Sequence, residues 1–309
     1  MHKAKVITFS GIGMGQTQEE ILDNLAKRLE MCRGMSPDLI CFPEEVLIMG
    51  GDKNNPRWAE NNAAALALMQ TYAAELHTNI VVNLEEPAPE YEGKRYNTAY
   101  VIDRAGHILG KYRKKHITFR AIAADGLPGG RVVVVDTDIG RIGLSICFDL
   151  GWREDWAELE RLGAELVVWP SAYHGGNLVN AYAAIHMYYI VTSVWSRESR
   201  IISPLGDTVA ESTQWDGCAV AEIYPGAPIY HFDHHERKIS ELRALYGDKL
   251  FFRVEGKGNI FEMAILDPAI DPAEFEKKHA MQTYRAYHAQ YTRENADILA
   301  QYPDRADRE

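Results

Sequence analysis

The sequence predicts an α/β fold in which a sheet mixing parallel and antiparallel strands is covered by helices. Three observations point to it. Short apolar runs alternate with amphipathic, helix-like runs over residues 3–86. Paired β-rich runs joined by Gly-containing turns fill the middle of the chain, and strand–helix alternation returns from residue 152.

Taken in order, KVITFSGIG (3–11) reads as a first strand. Gln16–Met35 reads as a helix, because Ile21, Leu22, Leu25, Leu29 and Cys32 recur at spacings of three and four with charges opposite. Thr17 with Glu20 three residues on is a capping-box signature at its start. DLICFPE (38–44) is a short apolar strand, Trp58–Thr78 an Ala-rich helix and NIVVNLEE (79–86) a further strand. Arg104-Ala105-Gly106 joins Tyr96–Asp103 to His107–Ile117 as a hairpin, and Asp138-Ile139-Gly140 joins RVVVVDT to RIGLSICFD. Trp152–Leu162 is a helix, AELVVWPSAY (164–173) a strand and Asn177–Tyr189 a helix, while VTSVWS, RIISP and GCAVAEIYP (217–225) are short strands. Beyond Pro225, residues 226–246 are polar and His-rich. Residues 250–266 read as a hairpin with Gly256-Lys257-Gly258-Asn259 at its turn. Asp271–Ala300 reads as one long charged helix that keeps Met281, Tyr284, Tyr287 and Tyr291, and this tail is expected to pack as an arm.

Composition narrows the function. The 309 residues are 46% hydrophobic and 25% charged, ordinary for a folded chain. Lys and Arg number 33 against 44 Asp and Glu, and the net charge of −11 disfavours nucleic acid and anionic membrane surfaces as partners. No run of roughly 20 apolar residues offers a spanning helix. The N-terminus lacks a signal peptide's apolar run. Cys32, Cys41, Cys147 and Cys218 are dispersed without a CxxC pair, which fits free thiols in a reducing compartment. A soluble, cytoplasmic protein is expected.

Three residues are candidates to carry chemistry. Cys147 ends a Val/Ile-rich strand shortly before a helix, where α/β sheets open their crevices and backbone N–H groups are free to meet a developing negative charge. A free cysteine is also an ordinary small apolar filler, the reading that suits Cys32, Cys41 and Cys218. Glu44 ends another strand after Pro43, and a carboxylate partly buried there shuttles protons near neutrality; a lone Glu at a strand end is otherwise a solvated acid. By alternation its neighbour Glu45 points elsewhere. Lys114 and Lys115 lie in a basic run that reads as a charge-protected edge strand or as one inward ammonium beside an oxyanion, and periodicity does not choose between them.

The segments F-P-E (42–44), Y-R-K-K-H (112–116) and S-I-C-F-D (145–149), in that order, resemble the nitrilase superfamily of carbon–nitrogen hydrolases. W-P-S-A-Y (169–173) and S-P-L-G-D (203–207) look like later segments of the same family, and the resemblance runs over roughly residues 3–225. It implies a four-layer α-β-β-α sandwich with mixed sheets in residues 1–225, followed by a C-terminal extension, 226–309, as a packing or oligomerisation arm. It implies a Glu44–Lys114–Cys147 triad, the family lysine being the one two residues before the histidine. Glu44 would take the thiol proton, Cys147 would attack an amide or nitrile carbon, and Lys114 with the backbone N–H of Phe148 would hold the oxyanion. Glu44 would then protonate the leaving amine or ammonia, and Glu44-activated water would hydrolyse the thioester that remains, with no metal or organic cofactor required. By the family layout Trp152, Tyr173, His174 and Asn177 line the pocket, and the protein pairs with copies of itself.

Two departures stand out. No Glu occurs between Lys114 and Cys147, where the family carries a second one, and Asp125 is the nearest substitute. Gly151 stands where an Arg often follows the cysteine motif. The leading expectation is an amidase acting on a small linear amide or carbamoyl amide. The alternatives are a nitrilase, an acyl transferase to an amine, a non-catalytic binding or scaffold protein, and a papain-like Cys–His enzyme using His116 or His174. His231, His234 and His235 with Asp233 form a His-rich tract without established zinc spacing, and no phosphate-cradling glycine loop is present.

Overall fold

The structure is a computed structural model and describes residues 3–11, 13–49, 55–255 and 258–302. The chain divides into two compact units, His2–Gly226 and Ala227–Glu309, each described by itself.

The larger unit opens with β1 (Ala4–Phe9), α1 (Gln18–Met31), β2 (Leu39–Cys41), α2 (Trp58–Leu76) and β3 (Asn79–Pro87). The Thr17 hydroxyl accepts from the Glu20 N–H at 3.2 Å while the Glu20 carboxylate accepts from the Thr17 N–H, so the capping box forms and α1 starts there. Ile21, Leu25 and Leu29 then bury one face of α1. The middle holds β4 (Arg95–Ile102), β5 (Ile108–Arg113), α3 (Phe119–Ala123), β6 (Gly126–Leu127), β7 (Val133–Thr137) and β8 (Gly140–Leu144). Then follow α4 (Arg153–Arg161), β9 (Leu166–Ser171), α5 (Gly176–His186), β10 (Tyr189–Val194), β11 (Arg200–Ile202), β12 (Thr208–Glu211) and β13 (Cys218–Ile223).

These strands form two sheets. One runs β13-β1-β2-β3-β4-β5, with β6 beside β4; the other runs β12-β11-β10-β9-β8-β7. Pairing is parallel along β1-β2-β3 and β8-β9-β10 and antiparallel across the hairpins. Alternation sorts the side chains. Ala4 and Val6 of β1 join Val81, Val101, Leu144, Val168 and Val191 in a core between the sheets. Ile7 and Phe9 face the other way onto Ile21, Leu25, Ala65 and Met69 of α1 and α2. Val167 and Ile190 pack outward on Trp156, Leu159, Val179 and Tyr182 of α4 and α5. The result is the four-layer α-β-β-α sandwich, and each aliphatic side chain so buried contributes about 1.5–3 kcal/mol.

The smaller unit has β14 (Ile229–His231), α6 (Lys238–Tyr246), β15 (Leu250–Glu255), β16 (Ile260–Ile265), α7 (Pro272–His279) and α8 (Tyr284–Gln301). Its sheet runs β14-β16-β15, and Tyr230, Leu242, Phe261, Met263 and Phe275 make its core. Gly256 and Lys257 of the expected hairpin turn lie outside the described residues. The single long helix expected over Asp271–Ala300 is two helices. Ala280 takes a left-handed conformation (φ 47°) that ends α7, and the Thr283 side chain caps α8. The His-rich tract serves packing. The His231 ring stacks on Tyr287 at 4.6 Å, and buried His235 accepts from the Gln282 N–H at Nε2 while Nδ1 bonds the His231 carbonyl.

Candidate active site

Strand ends place the site. Glu44 lies three residues past β2, Cys147 three past β8, Lys114 directly after β5, Ala172 directly after β9 and Trp195 directly after β10. Most of these are the carboxyl ends of parallel strands, where open α/β sheets leave a crevice. A cavity of about 260 Å³ opens there, and Glu44, Lys114 and Cys147 all line it, with Glu45, Asn97 and Trp195 among its other walls.

Glu44 is the hub. It is buried, and its Oε1 accepts from Lys114 Nζ at 2.6 Å and Asn97 Nδ2 at 2.9 Å. Its Oε2 accepts from the Ala172 N–H at 3.0 Å, and its carbonyl accepts from the Trp195 indole at 2.5 Å. Trp195 is held by a close approach that only glycine permits: a Cβ on Gly11 would sit 2.4 Å from the Trp195 carbonyl oxygen. Burial alone would lower the Lys114 pKa, but the Glu44 carboxylate beside it outweighs that and holds the ammonium above its ordinary range. Lys115 points away, to Asp155 at 2.5 Å.

Cys147 takes a left-handed backbone conformation (φ 47°) at the head of a short 3₁₀ turn, Cys147–Gly151. Such strain in a non-glycine residue persists only where surroundings impose it. Here Trp169 Nε1 donates to the Cys147 carbonyl at 3.2 Å. Buried Asp149 accepts from the Ile146 N–H at 3.0 Å, the His116 N–H at 2.8 Å and the Tyr112 hydroxyl at 2.7 Å. Asp149 thus ties the cysteine turn to both sides of Lys114. Burial pushes the Cys147 thiol up to about 12, and Glu44 adds to the rise, while Lys114 and the Ala172 N–H oppose it. The resting sulfur is a thiol, so a nucleophilic thiolate requires proton transfer to a neighbour. The Phe148 N–H lies in the first turn of the 3₁₀ segment, among donors that lack a partner within the helix.

Several expectations need correction. Trp152, Tyr173, His174, Asn177 and Asp125 are not among the residues lining the cavity. Trp152 instead stacks on His116 at 3.8 Å. The Tyr173 hydroxyl reaches the Cys147 carbonyl at 3.5 Å from outside the cavity, and Asn177 is exposed in the first turn of α5. Asp125 is exposed and pairs with Lys94 at 2.7 Å, so it does not replace a second glutamate. The Cys–His alternative finds no support in the geometry, since neither His116 nor His174 is among the residues lining the cavity that Cys147 lines. Glu45 was expected to turn away and instead lines the cavity. Reading the sequence also passed over Asn97 and Asp149. A lone Asn inside the strand-like RYNTAYVI, and an acid within the turn that follows the cysteine, were the available signals.

His174, Glu198 and Glu211 bring ligand-type atoms within 4.8 Å of one another. The His174 ring, however, accepts from the Gly176 N–H at Nδ1, which leaves the proton on the Nε2 facing Glu198. A metal there would have to displace that proton from an already acceptor-bound ring, so the donor set is poorly suited to one.

Comparison with known proteins places the chain in a family. The family described as carbon–nitrogen hydrolase matches residues 11–227. A deaminated glutathione amidase of Synechocystis sp. is 28% identical over 240 residues, 68% of this chain and 85% of its own length. Among solved structures, Saccharomyces cerevisiae Nit3, a member of branch 10 of the nitrilase superfamily, superposes with a TM-score of 0.65 at 20% identity, over 80% of this chain and 95% of that one. An amidase from Nesterenkonia sp. does so with a TM-score of 0.63 at 20% identity, over 72% of this chain and 90% of that one.

Proposed function

The chain belongs to the carbon–nitrogen hydrolase family, and from that premise we propose that it is an amidase that works through a cysteine thioester. The observation that supports this most is the buried Lys114–Glu44 pair at 2.6 Å in the wall of a cavity that Cys147 also lines. In this reading Glu44 takes the Cys147 proton and the sulfur attacks the amide carbonyl carbon. The oxyanion rests on Lys114 Nζ and the Phe148 N–H. As the C–N bond breaks, Glu44 returns the proton to the leaving amine or ammonia. Glu44 then takes a proton from water, the hydroxide attacks the thioester, and the acid leaves as the Cys147 thiol re-forms. The cavity size suits a small linear amide or carbamoyl amide. The sulfur must stay reduced throughout, which accords with four unpaired cysteines and a cytoplasmic setting. Among the described residues no helix is long and apolar enough to cross a membrane.

Intact-protein mass spectrometry with a panel of amides and nitriles tests the reading. An acyl adduct is expected on wild type, mapped to Cys147, and none on Cys147→Ala. An adduct that persists in the variant, or maps to Cys32, Cys41 or Cys218, overturns it. The proposal includes self-association: Leu178 and Ile185 lie seven residues apart on one face of α5 and are both exposed. Light scattering on eluted peaks should give at least a dimer, and a monomer at micromolar concentration removes that part.

A further inference from the structure

Two asparagines share one face of the β3–β4 pair. Asn83 opposes Ala99 and Asn97 opposes Glu85, so their side chains stand diagonally on the face that Val81, Ala99 and Val101 turn into the core between the sheets. Asn83 is fully buried and is not among the residues lining the cavity, whereas Asn97 is. Asparagine is depleted in strands, and in an apolar layer its amide must find partners. These two find each other and Glu44. The Glu45 N–H donates to Asn83 Oδ1, Asn83 Nδ2 donates to Asn97 Oδ1 at 2.8 Å, and Asn97 Nδ2 donates to Glu44 Oε1 at 2.9 Å. The Asn97 carbonyl also accepts from the Lys114 N–H at 2.8 Å, so one residue holds both partners of the ion pair.

The chain of amides runs one way. A backbone N–H only donates, whereas a side-chain amide has a donor end and an acceptor end. The Glu45 N–H therefore makes Asn83 present its oxygen, Asn83 turns its NH₂ to Asn97, and Asn97 turns its NH₂ to Glu44. An ionised carboxylate offers about four acceptor sites, two on each oxygen. Lys114 and Asn97 fill those of Oε1, and the Ala172 N–H fills one on Oε2. The site left open is on Oε2. A reversed Asn97 would set its oxygen against Oε1, and a proton lodged on Oε1 would be needed to relieve that contact.

Building on the amidase reading, in which Glu44 shuttles the proton, we infer that Asn83 and Asn97 are positioning residues that carry the fixed direction of a backbone N–H to Glu44, so that Oε1 meets donors throughout and the shuttled proton rides on Oε2 alone. Asn83 acts only through Asn97.

Asn83→Asp is the informative change. It keeps an acceptor for the Glu45 N–H but removes the donor to Asn97, which then turns its NH₂ to the new carboxylate and its oxygen to Glu44. Asn83→Ala removes more atoms yet leaves the Asn97 NH₂ on Glu44, a charged acceptor. Two rates are read on each variant: hydrolysis of propionamide, and alkylation of Cys147 by iodoacetamide mapped by mass spectrometry. Asn83→Asp is expected to fall about 10- to 100-fold below Asn83→Ala in kcat and in alkylation, with KM alike, the range of one charge-assisted hydrogen bond. A merely structural asparagine gives the opposite order, since the isosteric change disturbs packing least. Asn83→Ala as slow as Asn83→Asp therefore overturns the inference. A double-mutant cycle separates the introduced charge: with Asn97→Ala no amide is left to reverse, so Asn83→Asp should add little there, and an equal loss in both backgrounds overturns the relay. Should Asn83→Asp not fold, Asn97→Asp puts the acceptor on Glu44 directly. It should then be slower than Asn97→Ala, and the reverse order overturns the inference. If no amide acylates Cys147 in wild type, the amidase reading falls, and the alkylation rates alone decide on the relay.

Discussion

Replacing Glu44 by Gln is expected to lower kcat/KM for amide hydrolysis about 10²- to 10⁴-fold, the usual worth of a positioned general acid–base group, and to destabilise the fold as well. The second effect follows from burial. Both Glu44 and Lys114 are nearly inaccessible, and removing one member of such a pair leaves an uncompensated charge, a loss of about 3–5 kcal/mol. The Gln amide group also brings donors to the Ala172 N–H that the carboxylate now accepts. The pH dependence has a definite sign. In wild type, Glu44 raises the Lys114 pKa above its ordinary 10.5 against the effect of burial, so the stability this gives is present below that value and is lost as pH climbs through the folded-state pKa. Without Glu44, burial dominates and lowers the Lys114 pKa. The unfolded chain then holds more protons than the folded one, and the variant gains stability as pH rises. The gap in melting temperature should therefore be wide at pH 7 and narrow toward pH 10. The double variant Glu44→Gln, Lys114→Met removes both charges and should recover much of the melting temperature with none of the activity. Calorimetry on the three proteins checks this; a gap that does not change with pH, or a double variant no more stable than the single, removes the ion-pair account.

The sandwich was legible because its signals are local and periodic. The capping box at Thr17, the spacing of Ile21, Leu25 and Leu29, and the Gly106 and Gly140 turns each specify one element, and the two sheets follow from stacking them. Glu44, Lys114 and Cys147 stood out because each ends a strand and because three short motifs occur in order. What was missed depends on backbone that periodicity does not describe. Alternation holds only inside a strand, and β2 stops at Cys41, so nothing in the pattern reported that Glu45 turns back to the cavity. The cavity wall was misplaced for a similar reason. It is built partly by Thr118, Arg120, Ala121 and Ala124 around α3, a five-residue helix too short to leave a periodic trace. The residues expected there instead, Trp152, His174 and Asn177, follow the cysteine and β9 and are not part of that wall. In the tail, Ala280 stops a helix without being a stop signal, because alanine takes a left-handed conformation only when its surroundings require it.

Asp149→Ala is expected to be as damaging as any change to Glu44, although Asp149 is not among the residues lining the cavity that Cys147 lines. Its two oxygens accept from Ile146, His116 and Tyr112, and it is almost fully buried. Alanine would leave two backbone N–H groups and a hydroxyl without acceptors where water does not reach, at about 1–3 kcal/mol each. The expected loss is on the order of 3–5 kcal/mol, or about 10 °C for a unit of this size. Function should fail before the fold does. Asp149 bridges the turn that carries Cys147 and the segment that carries Lys114, so its loss frees the left-handed cysteine to relax and widens the distance between nucleophile and ammonium. Burial raises the Asp149 pKa while its three donors lower it, so the carboxylate form depends on those donors and cannot be mimicked by an amide. Asp149→Asn keeps one acceptor oxygen but turns an NH₂ toward a second donor, and should fall between wild type and Ala in both stability and rate. Rates measured well below the melting point of each variant separate the two effects. If Asp149→Ala acylates at the wild-type rate once it is folded, the clamp has no part in aligning the site; if its melting temperature is unchanged, those three donors find other acceptors and the carboxylate does not hold the turn.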